Sequence, residues 1–278
     1  GAHQGFLYIR NESAAAREQV DRAIVDARAR GYLGKDICGS GFDFDCRIVR
    51  GGGAFVCGES TALISSIEGK VGEPRPKYVR SVEKGLYDKP TVLNNVETLA
   101  TIPYIIEVGG DGFAKIGTEK STGTKVFSMV GKVEHTGLVE VPMGITLREL
   151  IFGIGGGIKN GRPFKAVQTG GPSGGCLPEA QLDLPVDYDT LKEHGTIMGS
   201  GGMIVMDDRS CMVDVARYYV NFLCEESCGQ CTPCREGLRQ MRAILNDICA
   251  GRGQEGGIEL LEQISESVED ASLCALGK

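Results

Sequence analysis

The sequence predicts a mixed α/β region, then a small mixed domain for which a β-grasp arrangement fits, then a C-terminal helical bundle. Three observations predict that order. Strand-like and helix-like runs alternate across a glycine loop in the first 120 residues. Paired strand-like segments flank a short helical one between about 121 and 208. From Ser210 onward, apolar residues recur at helical spacing. We divide the chain accordingly into 1–120, 121–208 and 209–278. A length of 278 residues accommodates two or three compact units.

The elements follow in order. Residues 5–9 read as a strand. Residues 13–31 are Ala-rich with interspersed charges and read as a helix, with Ser13 as N-cap and Gly31 as its stop. Phe44 to Val49 reads as a strand ended by Gly51-Gly52-Gly53, and Ser60 to Glu68 as a helix. Residues 69–92, rich in Pro, Lys and Gly, read as an ordered loop. A helix is predicted from Val96 to Val108, stopped at Gly109-Gly110. Lys125–Gly131 and Gly137–Val141 read as paired strands, Thr146–Phe152 as a short helix, and Phe164–Thr169 and Gly202–Met206 as further strands. Helices are predicted over Cys211–Leu223, Gly237–Ala250 and Ile258–Val268.

Composition excludes several classes. The net charge of −7, without a basic run interleaved with aromatics, argues against nucleic acid as a partner. No apolar stretch approaches the roughly 18 residues of a membrane helix, so direct membrane insertion is not expected. The first residues lack the basic and apolar regions of a secretory signal. A cytoplasmic location is therefore expected, peripheral to a membrane only through a partner. Eleven cysteines, an odd number, argue against a disulfide framework and for thiols with a metal centre.

Cys228, Cys231 and Cys234 form a C-x2-C-x2-C run. A cuboidal [4Fe–4S] cluster needs four thiolates at separate corners. A tight loop supplies three, and the fourth comes from elsewhere in the chain. Cys274, after the last predicted helix, is the expected fourth metal ligand. Cys224 and Cys249 are rivals, but each falls within a predicted helix. The competing readings are a structural zinc site, which usually takes cysteines in pairs or with histidine, and a set of inert thiols. His3, His135 and His194 all lie far from the run in sequence.

The run from Arg50 to Ser60, RGGGAFVCGES, passes from strand to helix. Its glycines let backbone amides approach an anion, and the helix N-terminus favours phosphate. Glycine turns without a ligand are commoner, so the loop alone is a weak signal. Asn94-Asn95 reads either as a helix cap or as amides aimed at a ring or ribityl chain. Cys57 reads as a buried small thiol, 170–175 as a turn, and His135 and His194 as solvent-facing. Arg235 and Glu236 read as contacts to a partner, ahead of tuning a cluster.

ESCGQCTPCREG, GGGAFVCGESTALISSIEGK and PTVLNNVETLA together resemble the NADH-binding flavoprotein subunit of respiratory complex I. They are similar also to its relatives in NAD-dependent formate dehydrogenases and multisubunit, including bifurcating, hydrogenases. The similarity runs from FLYIRNES at 6–13 to SLCALG at 272–277. It implies part of an FMN-binding α/β domain, a β-grasp domain of the soluble-ligand-binding kind, and a helical cluster domain. FMN is implied over Gly51 to Thr98. Gly58, Glu59, Asn94, Asn95 and Thr98 match the flavin site, Gly53 belongs to its loop, and Phe55 and Ser60 lie beside nicotinamide and flavin. Cys228, Cys231, Cys234 and Cys274 match the cluster ligands. The implied activity passes electrons between NAD(H) or NADP(H), FMN and a [4Fe–4S] cluster. The implied partners are a thioredoxin-like [2Fe–2S] subunit and a further iron–sulfur subunit.

The sequence departs from the complex I pattern at Phe55, where the family has Tyr, and at Ser60, where it has Glu. Residues 75–84 also lack the proline-rich form. These departures point to the hydrogenase, dehydrogenase or bifurcating branch. The family's earlier glycine-rich segment is missing. A fragment, a partly built chain, or a relay or scaffold subunit that has lost flavin and nucleotide binding is expected.

Overall fold

The computed structural model describes all 278 residues, and the protein is a mixed α/β chain. Its residues fall into two compact units. The first comprises Gly1–Leu93, Glu226–Arg235 and Ala271–Ala275; the second comprises Asn94–Glu225, Glu236–Asp270 and Leu276–Lys278.

In the first unit, β1 (Gln4–Arg10) and β2 (Asp45–Gly51) pair in parallel, Leu7 opposite Ile48. A parallel pair requires a crossover, and α1 (Ala14–Ala29) supplies it. Arg28 on the last turn of α1 forms a bidentate ion pair with Asp45 at 3.0 Å and also reaches the Cys46 carbonyl, fixing the helix to the strand. Gly31 adopts φ +72°, and its amide and that of Tyr32 close the helix end on Arg28 and Ala27. Ser13 occupies the expected cap position, but its hydroxyl caps nothing. The helix α2 (Ser60–Ile67) follows the glycine loop, with Ala62 and Ile64 buried.

The second unit holds α3 (Val96–Val108), the one-turn α4 (Gly110–Phe113) and a five-stranded sheet. The strands β3 (Thr124–Gly131), β4 (Gly137–Pro142), β5 (Phe164–Thr169), β6 (Cys176–Pro178) and β7 (Gly202–Asp207) lie in the order β4-β3-β7-β5-β6. β3 and β7 are parallel at the centre; the other pairings are antiparallel. β3 alternates as a half-buried strand should, with Lys125, Phe127 and Met129 buried. Lys125 is a cation on the core face, tolerated because Glu97 of α3 pairs with it at 2.6 Å and the Ser200 carbonyl accepts from it.

Against that sheet pack Leu147, Leu150 and Ile151, all fully buried. They belong to the segment expected as an ordinary short helix over Thr146–Phe152. It is instead a π-type turn over Glu149–Ile154, started by a capping box in which Thr146 and Glu149 exchange hydrogen bonds. A short helix α5 (Tyr188–Glu193), capped by Asp187, precedes β7.

Three C-terminal helices follow: α6 (Met212–Glu226), α7 (Thr232–Cys249) and α8 (Gly257–Ala271). α7 starts five residues before the expected Gly237, because Pro233 suits a first helical turn and does not exclude one. Cys234 therefore sits on a helix rather than in a loop.

Leu150 is completely inaccessible in the core under the sheet. Leu150→Ala is expected to destabilise the second unit by about 2–5 kcal/mol, read as a lower denaturant midpoint.

Candidate functional site

The four expected cluster cysteines lie in the same unit, although Cys274 is separated from the triplet by α7 and α8. Cys228 and Cys231 lie in the loop after α6, Cys234 in the first turn of α7, and Cys274 in the turn after α8. The loop is built to hold its shape. Gly229 takes φ +79°, its amide donates to the Ser227 hydroxyl, and its carbonyl accepts from the Arg235 guanidinium. The Arg235 amide returns to the Cys231 carbonyl at 2.9 Å. Arg235 thus braces the loop.

The Cys234 thiol is buried and lies 3.4 Å from the Ser227 hydroxyl. Burial pushes its pKa up; the Ser227 contact opposes this, and the neighbouring Cys274, Cys231 and Cys228 push the same way as burial. All three other ligand candidates are therefore electrostatic neighbours of Cys234. The rivals Cys224 and Cys249 belong to helix segments of the other unit. No three His, Cys, Asp or Glu side chains gather tightly enough to hold a single metal ion. In the segment that carries Cys274, the Ser272 hydroxyl is buried and has no hydrogen-bond partner.

The glycine loop belongs to the same unit. Gly51 has to be glycine because a Cβ there would stand 2.7 Å from the Tyr8 ring, whose hydroxyl pairs with Ser66 at 3.0 Å. Gly53 adopts φ +92°. Gly52, Ala54 and Gly58 are exposed, while Val56 and Cys57 are buried, so the loop turns one face to solvent and anchors the other. The Phe55 amide donates to the Glu226 carboxylate at 2.9 Å. That bond joins the glycine loop to the residue two before Cys228, and nothing in the sequence signalled it.

Glu59 is the N-cap of α2. Its carboxylate accepts from the amides of Thr61 and Ala62 and from the hydroxyls of Ser60 and Thr61, and pairs with Lys77 at 2.9 Å. Burial works against the charge, but Thr61, Lys77, Ala62 and Ser60 more than offset it and hold the pKa at about 2. A carboxylate of the chain itself thus fills the N-terminus of α2, and the helix dipole expected to favour a ligand phosphate is already used. Ser60 stands beside it, with its hydroxyl on Glu59.

Asn94, Asn95 and Thr98 belong to the second unit, at the start of α3. Asn95 holds the N-cap position, yet its amide makes no cap bond, so the cap reading is not realised. All three residues are exposed. Cys57 is buried, and His135 and His194 are exposed, as expected.

Glu59 supports the fold only while ionised. Its folded pKa lies below the usual carboxylate value, so its contribution is complete above about pH 5 and lost as pH falls towards 2. Glu59→Gln is expected to lower stability at pH 7 by about 1 kcal/mol. The difference from wild type should shrink steadily below pH 4.5 in denaturation curves.

Comparison with known proteins agrees with this architecture. Residues 1–104 match the family described as the Nuo51 FMN-binding domain, and residues 214–278 match the NADH-ubiquinone oxidoreductase-F iron–sulfur binding region. The whole chain is 52% identical to the NADP-reducing hydrogenase subunit HndC of Solidesulfovibrio fructosivorans, covering 57% of that protein. It is 45% identical over 277 residues to the second F-type subunit of NADH-quinone oxidoreductase in Rhizobium meliloti (strain 1021), covering 66% of it. Among solved structures, an NAD+-reducing [NiFe]-hydrogenase in the H2-reduced state superposes with a TM-score of 0.87 at 33% identity, over the whole chain and 46% of that chain. The chain thus spans about half to two thirds of the length of these relatives. It belongs to the family of F-type subunits of NADH-quinone oxidoreductase and their hydrogenase counterparts.

Proposed function

We propose that the chain is an electron-transfer subunit of a multisubunit NAD(P)H oxidoreductase, with FMN on the glycine-loop side and a [4Fe–4S] cluster held by Cys228, Cys231, Cys234 and Cys274. The observation that carries this reading is the placement of the four cysteines in one unit, where Cys274, Cys231 and Cys228 all act electrostatically on Cys234. When bound, FMN would supply a hydride acceptor for a nicotinamide, and a cluster on the four cysteines would supply a one-electron carrier. The residues supply position. Gly229, Ser227 and Arg235 hold the triplet loop, and Glu226 holds the glycine loop against it through Phe55.

The donor set fits an iron–sulfur cube better than zinc. Zinc usually takes cysteines in pairs or with histidine, whereas a C-x2-C-x2-C run completed by a distant cysteine suits a cube that holds each thiolate on a different iron. The Ser272 hydroxyl adds a donor without a protein partner beside Cys274. For the flavin, the residues Gly53, Phe55, Gly58, Glu59, Ser60, Asn94, Asn95 and Thr98 are the proposed contacts. The exposed face of the loop at Gly52, Ala54 and Gly58 supports an apposed ring.

The sheet order, with a parallel central pair and flanking antiparallel strands, supports a β-grasp domain over 121–208, between a partial FMN domain at 1–120 and a helical cluster domain at 209–278. Relatives named as NADP-reducing and as NADH-quinone enzymes support both pyridine nucleotides as substrates. Their subunit names support an assembly with other subunits; a thioredoxin-like [2Fe–2S] subunit and a further iron–sulfur subunit are the partners that the sequence resemblance implies. No helix is long and apolar enough to cross a membrane.

A second reading, a cluster-bearing relay without flavin, is favoured by the filled N-terminus of α2 and by Phe55 and Ser60 in place of Tyr and Glu. Iron, sulfide and flavin analysis of the intact assembly, with EPR after NADH or NADPH, decides between them. Iron and sulfide with FMN and a nucleotide-reduced signal are expected; iron without FMN supports the relay, and zinc sinks both. Cys274→Ser is expected to abolish the cluster signal, whereas Cys249→Ser leaves it intact.

A further inference from the structure

We infer that the Ser272 hydroxyl is a hydrogen-bond donor to the iron–sulfur cluster, positioned to raise its reduction potential; this rests on the cluster reading above. Buried polar groups are almost always paired, and an orphan calls for a partner that the protein does not itself supply. The side chains of this chain leave two such atoms, Nε of Arg217 and Oγ of Ser272. Ser272 is 5% exposed, so water from bulk is not its partner. It lies two residues before Cys274, in the short segment Ala271–Ala275 that belongs to the cysteine-bearing unit.

The chemistry of the site accounts for the missing partner. Thiolates and inorganic sulfides are acceptors, and a serine hydroxyl donates one proton to them without changing its own charge. The other side of the site already has that arrangement: the Ser227 hydroxyl lies 3.4 Å from the Cys234 sulfur while accepting from the Gly229 amide. We assign Ser272 as the counterpart on the Cys274 side from its place two residues before that cysteine and its unpaired, buried hydroxyl. Reduction adds negative charge to a cluster, so a donor aimed at it stabilises the reduced form more than the oxidised one. Ser272 is a positioning residue in this sense; it touches no substrate.

The test is an EPR-monitored redox titration of the intact assembly carrying Ser272→Ala or Ser272→Thr, with iron and sulfide measured on each preparation. Wild type must show the cluster, or the cluster reading itself fails. Given the cluster, Ser272→Ala should keep its iron, titrate at a more negative potential and show an altered EPR line shape. Ser272→Thr, which retains the hydroxyl, should restore the wild-type midpoint. A Ser272→Ala cluster with wild-type midpoint and spectrum overturns the inference. So does a shift that Ser272→Thr reproduces in full, since that would trace to packing. If Ser272→Ala fails to assemble, the Ser272→Thr midpoint decides. A value within error of wild type supports donation, and a shifted one overturns it.

Discussion

The Glu226 carboxylate on the Phe55 amide joins two segments 171 residues apart in sequence, and the organisation of the first unit depends on that kind of long-range tie. Glu226 ends α6 and opens the cysteine loop, while Phe55 lies in the middle of the glycine run. An amide held by a carboxylate is a charge-assisted bond, stronger and shorter than a neutral one. It sets the glycine loop and the thiol loop in a fixed relation. The proposed transfer of electrons between two centres would need such a relation.

A related constraint governs α2. A strand–glycine loop–helix run offers backbone amides and a helix dipole to any anion, and the pattern of residues alone assigns that potential to a ligand phosphate. The chain uses it for Glu59, whose oxygens take the amides of Thr61 and Ala62 and the ammonium of Lys77. What remains for a flavin is the outward face of the loop, and a ring needs contact area more than it needs a dipole. A glycine-rich loop is thus ambiguous in sequence because the occupant of its helix end depends on one side chain's rotamer.

Much of the fold was legible because its punctuation is local. Gly31 and Gly109 stop α1 and α3 where their positive φ is required, and the alternation of β3 marks its buried face. The misses fall where a local rule is not realised in the folded chain. Ser13 and Asn95 sit at cap positions without capping. The turn at Glu149–Ile154 widens to a π-type geometry while burying Leu150 and Ile151. β6, three residues long, exists only as the partner of β5 and has no period to read. In the site, the spacing of Cys228, Cys231 and Cys234 was readable, since three candidate ligands within seven residues are a property of a short segment. The tie from Glu226 to Phe55 and the orphaned Ser272 were not, because each depends on neighbours distant in sequence.

α3 poses the opposite problem from the core. It is rich in Val, Ile, Leu and Tyr, yet none of its residues is buried; Val96 is 69% exposed and Ile106 78%. The second unit holds it through Glu97, bonded to Lys125 and the Val126 amide, and through the Tyr104 ring set edge-on to Phe113. An apolar helix tied by a half-exposed glutamate to a buried lysine, with most of its apolar surface uncovered, draws little of its stability from its own unit's hydrophobic core. Burial of a single Ile or Leu side chain yields about 1.5–3 kcal/mol, so the surface left open is large against the few kcal/mol by which domains are stable. The Glu97–Lys125 pair therefore carries a structural burden that packing carries elsewhere in the chain. Lys125, buried at 4% exposure, would be left as an uncompensated charge without it. The Glu97–Lys125 pair thus helps to set the register of α3, and with it the placement of Asn94, Asn95 and Thr98.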